Sequence, residues 1–216
     1  MSRTSLSMRA LLPAGLLFAG WMAAAAPAGA QEDPFSGQIL TLNEPKEPLP
    51  PSTNPRYRPR GDGTVMDLQE NLVWARQDSY QTNKEWINWH DAQKYIQKLN
   101  EEKFGGASNW RLPTRKELGS LFDKNSSIPW VYYWTKNEVH LDPVFGWSHC
   151  CYWTSEEYRD EMAWGFNFIR GKPYLSMKGG IQKSLTAVRP VRDMTPEERA
   201  EAETLRAELP GTAAAP

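Results

Sequence analysis

The sequence predicts an α+β fold in one domain, with two helices packed on a small antiparallel sheet and a long irregular loop region. Three observations predict it. Residues 84–122 carry apolar side chains at helical spacing. Residues 152–192 break into short alternating runs separated by turn residues. Only Gly61–Asp193, 133 residues, has the composition of a packed core, which is the size of a single domain. Helices first and strands later is the order of an α+β protein.

The elements follow in chain order. Residues 1–30 read as a signal peptide, with Arg3 and Arg9 before an apolar Ala10–Ala26 run and Ala28-Gly29-Ala30 as a small-residue cleavage site before Gln31. The mature chain is expected in the periplasm or outside the cell, an oxidising compartment. Residues 31–60 hold seven prolines and are expected to form an extended tether. Strands are expected at Gly63–Asp67 and Leu72–Arg76, then a helix from Lys84 to Glu102 whose Trp89, Ala92, Tyr95, Ile96 and Leu99 share a face, stopped by Gly105-Gly106. Thr114 and Glu117 have capping-box spacing and start a second helix with Leu118, Leu121 and Phe122 on its buried face. Asp123–Cys151 shows no clear period. Strands follow at Tyr152–Thr154, Ala163–Ile169, Tyr174–Met177 and Leu185–Arg192. Residues 194–216 read as an acidic tail. Thr195 N-caps a short helix, with Pro196 at its first position and Glu198 completing a capping box.

Charge narrows the function. The central unit holds 17 acidic and 17 basic residues, which argues against nucleic-acid binding, since that needs a basic face. No apolar run after residue 30 is long enough to span a bilayer, so the mature protein is not expected to be membrane-integral. No G-x-S-x-G, H-E-x-x-H or glycine-rich phosphate loop occurs, and no cofactor is expected.

The ordered motifs resemble a known family. Gly105-Gly106-Ala107-Ser108-Asn109-Trp110-Arg111-Leu112-Pro113-Thr114, followed by Glu117-Leu118, is similar to the "GG-x-S-D/N-WRLPT-x-x-EL" core of the Lcl C-terminal domain family. Thr64–Asp67 with Leu72-Val73-Trp74, then Tyr152-Trp153-Thr154-Ser155, Ala163-Trp164 and the closing Val188-Arg189-Pro190-Val191-Arg192 match that family's other segments in order. The resemblance covers about residues 61–193 and implies a C-type lectin-like fold, in exported bacterial domains mostly without assigned activity. Its named member ends a collagen-like adhesin that binds sulfated polysaccharides. Many members also carry two cysteines where this chain has Ile96 and Pro190, so this domain is held without that bridge.

Within the core motif, Trp110 and Leu112 alternate around Arg111 and are expected to face the core. Arg111 either locks helix to sheet through carbonyls or an acidic side chain, or binds an anion; the structural role is preferred. His149-Cys150-Cys151 leaves three options for the cysteines: a vicinal disulfide, bridges to another chain, or thiols. A copper or zinc site on these three residues lacks a fourth ligand. Glu156, Glu157, Asp160 and Glu161 read as a charged hairpin rather than a calcium site, and the sugar-binding signatures of calcium-dependent lectins are absent.

Ligand contact is expected from Trp130, Tyr133, Trp134 and Trp147 in the aperiodic stretch, which stack on sugar faces or dock a protein, or else roof a second small core. Arg170, Lys172, Lys178 and Lys183 lie in a run without acidic residues and are expected to form a basic patch for anionic glycans, or else to protect a sheet edge. The expectation is an exported, non-enzymatic binding module for a polysaccharide or a cell-envelope partner. The alternatives are a structural subunit of an envelope complex and, behind it, an enzyme related to formylglycine-generating proteins.

Overall fold

The computed structural model describes residues 48–132, 135–179 and 185–209. It has the α+β architecture. A four-stranded antiparallel sheet runs in the order β1 (Tyr57–Pro59), β2 (Thr64–Asp67), β3 (Leu72–Ala75) and β9 (Val191–Asp193). A two-stranded ribbon pairs β4 (Ile128–Tyr132) with β5 (Thr135–Val139), and a three-stranded sheet orders β6 (Cys151–Tyr158), β7 (Met162–Asn167) and β8 (Lys172–Met177). Four helices accompany them among the described residues: α1 (Ser79–Asn83), α2 (Trp89–Glu101), α3 (Arg115–Leu121) and α4 (Pro196–Ala207).

The four-stranded sheet is covered on both faces, which explains why every residue of β2 and β3 is buried. Val65, Leu72, Trp74 and Val191 join a core with Leu118 and Leu121 of α3, Ile128, Val139, Phe145, Tyr152, Phe166 and Phe168. Met66, Val73 and Ala75 join another with Trp89, Ala92, Ile96 and Leu99 of α2, Trp110, Leu112 and Trp153. The period-two alternation of strands therefore separates two apolar sets rather than an apolar from a polar one.

The WRLPT segment is the mortar of this arrangement. Trp110 and Leu112 are each 3 % exposed. Between them Arg111 bridges antiparallel to Val191, exchanging backbone hydrogen bonds of 2.9 and 3.1 Å. Its guanidinium donates to both oxygens of Glu117, at 2.9 and 2.7 Å. Glu117 closes the capping box of α3 with Thr114. Burial opposes the charge on Glu117, but Arg111 and the Thr114 N–H outweigh it and hold the carboxyl below its ordinary range. The structural role expected of Arg111 is the one found, tying helix to sheet.

Four sequence readings are corrected by tertiary contacts. The proline-rich segment does not stay a free tether up to residue 60, because Tyr57–Pro59 adds an edge strand and Arg56 forks onto buried Asp67 at 2.7 and 2.5 Å. Residues 84–102 are not one helix. Lys84 takes a left-handed conformation that ends α1, and Asn88 caps α2 anew. The aperiodic stretch contains the β4–β5 ribbon, whose end pair, Ile128 and Val139, is buried. Pro129 is tolerated there because the ribbon has only two strands. Residues 185–190 are no regular strand: the Ser79 N–H donates to the Val188 carbonyl, and the Ala75 N–H donates to the Pro190 carbonyl.

The C-terminal helix is docked more firmly than its thin apolar stripe predicts. Ala202 is fully buried. Arg192 forks onto Glu198 at 2.6 and 2.7 Å, and Arg60 pairs with the same carboxylate.

Candidate functional site

Among the described residues, Trp147 is an expected ligand residue that lines a cleft. Asp142 accepts the Val144 N–H at 2.8 Å and starts a single 3-10 turn over Pro143–Phe145. Gly146 then adopts φ +69°, which suits a residue without Cβ. The Trp147 carbonyl accepts from Gln81 Nε2 at 2.7 Å, so the loop is tied to α1. Gln81 is in turn fixed by the α1 capping box with Asp78.

Half-buried Trp147 lines two clefts, which also share Arg76 and Gly146. One, of about 560 Å3, is lined by Gln77, Gln81, Thr82, Lys84, Tyr95, Glu102 and Phe104 among others. The other, of about 530 Å3, runs between Leu49–Ser52 and Tyr57, Arg76, Val144 and Trp147. The first joins aromatic faces, side-chain amides and charges of both signs, the mixture that orients a polar ligand with an apolar face.

Beneath the Trp147 loop lies a buried polar hub. Asp78 and Arg189 are fully buried, and His149, Ser148 and Tyr152 are buried with them. The Tyr152 hydroxyl donates to Asp78 Oδ2 at 2.8 Å and accepts from Arg189 Nη2 at 3.1 Å. His149 Nδ1 lies 3.4 Å from the same Asp78 oxygen. Arg189 also donates to Ser148 Oγ at 2.9 Å and to the Arg76 carbonyl at 2.7 Å. Its guanidinium sits 4.8 Å from the Phe145 ring and 5.1 Å from the Tyr152 ring. Burial alone would raise the Asp78 carboxyl, but His149, Arg189 and the Gln81 N–H outweigh it and hold it below the ordinary range. Burial pushes the Tyr152 hydroxyl well above its own. The hub pairs these groups with one another, though Arg189 Nε has no hydrogen-bond partner, and through Asp78 and Gln81 it supports the cleft wall.

Cys150 and Cys151 form a vicinal disulfide with Cα atoms 3.7 Å apart, so of the three options open from sequence the bond between neighbours is the one present. Among the described residues no group of three or more His, Cys, Asp and Glu is arranged to hold a metal ion.

The other expected site residues scatter. Trp130 is half-buried against the core that contains Phe145, so part of the aromatic stretch roofs the core. Arg170 and Lys172 are exposed at the β7–β8 connection. Lys178 is no member of a surface patch. It is 5 % exposed, pairs with Glu157, donates to the Asp160 carbonyl at 3.0 Å and lies 5.1 Å from the Trp89 ring centroid. It neutralises the acidic β6–β7 hairpin from below, which is why a lysine in an acid-free run turned inward. Tyr133, Trp134 and Lys183 lie outside the described residues.

Residues 63–192 match the model of the Lcl C-terminal domain. The chain belongs to that family. Comparison with curated proteins finds no match. The family span leaves out β1, which pairs with β2 at the edge of the sheet, and α4, whose Glu198 is held by Arg192 of β9. Among the described residues no helix is long and apolar enough to cross a membrane.

The sequence reading missed Gln77, Gln81, Thr82, Lys84, Tyr95, Glu102 and Phe104 as cleft residues. One signal was present: Asp78 and Gln81 have the N-cap and N3 spacing of a capping box, which marks α1 and so the cleft wall. Nothing local marks Glu102 and Phe104, which reach the cleft only because α2 packs beside α1.

Proposed function

We propose that this protein is an exported, non-enzymatic binding module that takes a polysaccharide segment in the cleft beside Trp147. The observation that carries the reading is the cleft lining, where Trp147, Tyr95 and Phe104 stand among Gln77, Gln81, Lys84 and Glu102. Aromatic rings offer flat surfaces to the C–H faces of sugars, while amides and carboxylates bond their hydroxyls. Arg76 and Lys84 in the same lining suit a glycan that carries acidic groups. The lectin-like fold expected of the family fits such a role, though fold alone does not assign it. Export rests on the Arg3, Arg9 and Ala28-Gly29-Ala30 pattern; intact mass of the extracytoplasmic protein should place its first residue at Gln31.

The test is a glycan array followed by calorimetry on the best ligand. Trp147→Ala should abolish detectable binding while the far-ultraviolet spectrum stays native. Wild-type-like affinity in that variant would remove Trp147 from the site.

A second reading, docking of an envelope protein, is favoured by one surface row. Tyr158, Met162 and Met177 are paired across β6, β7 and β8, and Tyr158 and Met177 are exposed. Capture of an envelope protein that is lost on Met177→Glu, with no glycan bound, would favour it.

A further inference from the structure

The vicinal disulfide sits in a stretch of chain that joins the cleft to the buried hub, as the Gln77–Gln81 segment also does. Trp147 is held by Gln81, Ser148 by Arg189, His149 by Asp78, and Tyr152 by both Asp78 and Arg189. Between these anchored residues lie only Cys150 and Cys151. Their carbonyls accept from the Phe168 N–H at 2.7 Å and the Ala187 N–H at 3.0 Å, so a change in the pair is passed on to the anchored residues rather than absorbed by free backbone.

The bond constrains the side-chain directions of the pair. Successive side chains of a strand point to opposite faces, and Cys151 opens β6 opposite Asn167. Cys150 lies in the bend before β6, and the disulfide ties its sulfur to that of the first strand residue. Neighbouring Cα atoms are also closer than the ordinary disulfide range of about 4.4–6.8 Å, a departure that favours reduction. Both residues are buried, but Cys151 lines a small cavity of about 240 Å3 with Asn167, Tyr174, Leu185 and Thr186, which gives a thiolate an approach. On the other side, Cys150 Sγ lies 4.0 Å from the Leu185 carbonyl oxygen. A disulfide sulfur has no proton to give that acceptor, whereas a thiol does.

We propose that the Cys150–Cys151 disulfide is a redox-controlled element, opened by a dithiol reductant, that sets the shape of the Trp147 cleft. The proposal rests on the reading of that cleft as the binding site. In the exchange, one thiolate of the reductant attacks Cys151 Sγ and the Cys150–Cys151 bond breaks. Cys150 leaves as a thiolate and takes a proton from solvent. The second thiolate of the reductant attacks the mixed disulfide and releases Cys151, which is protonated in turn. The reductant ends as a disulfide, two electrons having passed to the cysteine pair. The freed side chains separate, and the turn through Ser148 and His149 moves with them.

The experiment reduces the native protein with dithiothreitol and counts thiols by alkylation and mass. The Trp147 contribution to fluorescence is taken as the difference between wild type and Trp147→Phe in each redox state. Affinity for heparin and for dextran is measured in both states by calorimetry. The expected result is two alkylated cysteines, an unchanged far-ultraviolet spectrum, a shifted Trp147 emission, and a change of about fivefold or more in Kd. The double variant Cys150→Ser with Cys151→Ser should reproduce the reduced emission; if it does not fold, the reduced native protein carries the test. Two thiols with an unmoved Trp147 signal would overturn the proposal, as would a native disulfide that dithiothreitol opens only in the unfolded chain. If the oxidised protein binds neither polysaccharide, the binding reading fails separately, and the Trp147 emission still decides whether bond and cleft are coupled.

Discussion

Replacing Asp78 with Ala should be among the most damaging single changes in this domain. The carboxylate performs two tasks at once. It caps α1 by accepting the Gln81 N–H at 2.8 Å, a contact worth about 1 kcal/mol. It also faces the fully buried Arg189, with the Tyr152 hydroxyl donating to it at 2.8 Å. Removing one partner of a buried ion pair costs about 3–5 kcal/mol, because the remaining charge is stranded. Arg189 keeps its bonds to the Ala75 and Arg76 carbonyls and to Ser148, which moderates the loss. The two tasks share one side chain, so about 3–5 kcal/mol is the expected total. With a urea slope of about 1–3 kcal/mol per molar, the midpoint should fall by more than about 1 M. Tryptophan fluorescence reads the transition directly, since Trp86 lies 5.1 Å from the His149 ring of the hub. The companion Arg189→Met variant should be similarly unstable. The double variant should cost clearly less than the two single costs added, because no unpaired charge remains. A loss below about 1 kcal/mol for Asp78→Ala, or strict additivity in the double variant, would refute the view that the hub is a coupled buried pair.

Trp110→Ala and Leu112→Ala should cost about 3–5 and 2–5 kcal/mol in urea denaturation, since both are buried in the core with α2 and Trp153. Glu198 is held at about 2 by its fork with Arg192, helped by the Thr195 N–H and Arg60. A depressed carboxyl adds stability that is present above its unfolded value near 4.5 and lost as pH falls from there towards 2. Allowing for solvent screening the contribution is about 2 kcal/mol, and Glu198→Gln should remove it from a pH series of midpoints. Lys178→Glu should cost more than about 3 kcal/mol by placing a second anion beside Glu157, whereas Lys172→Glu on the exposed end of β8 should stay within about 0.5 kcal/mol; equal effects would contradict the burial of Lys178.

Short-range chemistry was legible from the chain itself. The capping boxes at Thr114–Glu117 and Thr195–Glu198 form as read, because both partners lie within one helical turn. The faces of α2 and α3 are the ones their apolar spacing names, and the WRLPT motif packs as a core element. The adjacent cysteines restricted their own chemistry to three options, and only the fold chose among them. What the sequence could not decide were matters of partnership over long separations. Tyr57 becomes a strand because Asp67 and β2 are there to receive it, and Pro-rich composition conceals that. Lys178 turns inward because the end of β6 delivers Glu157, and the β6–β7 connection two carbonyls, to the same spot. Asp78 and Arg189 stand 111 positions apart, so no local pattern links them, yet one oxygen and one guanidinium nitrogen meet at 3.5 Å. The cleft at Trp147 is of the same kind: its walls come from α1, α2 and the loop after β5, and they are adjacent only once the sheet has buried both faces. Local propensities act within a turn or a strand pair, whereas burial of charge and the shape of a cleft depend on which distant surfaces exclude water together.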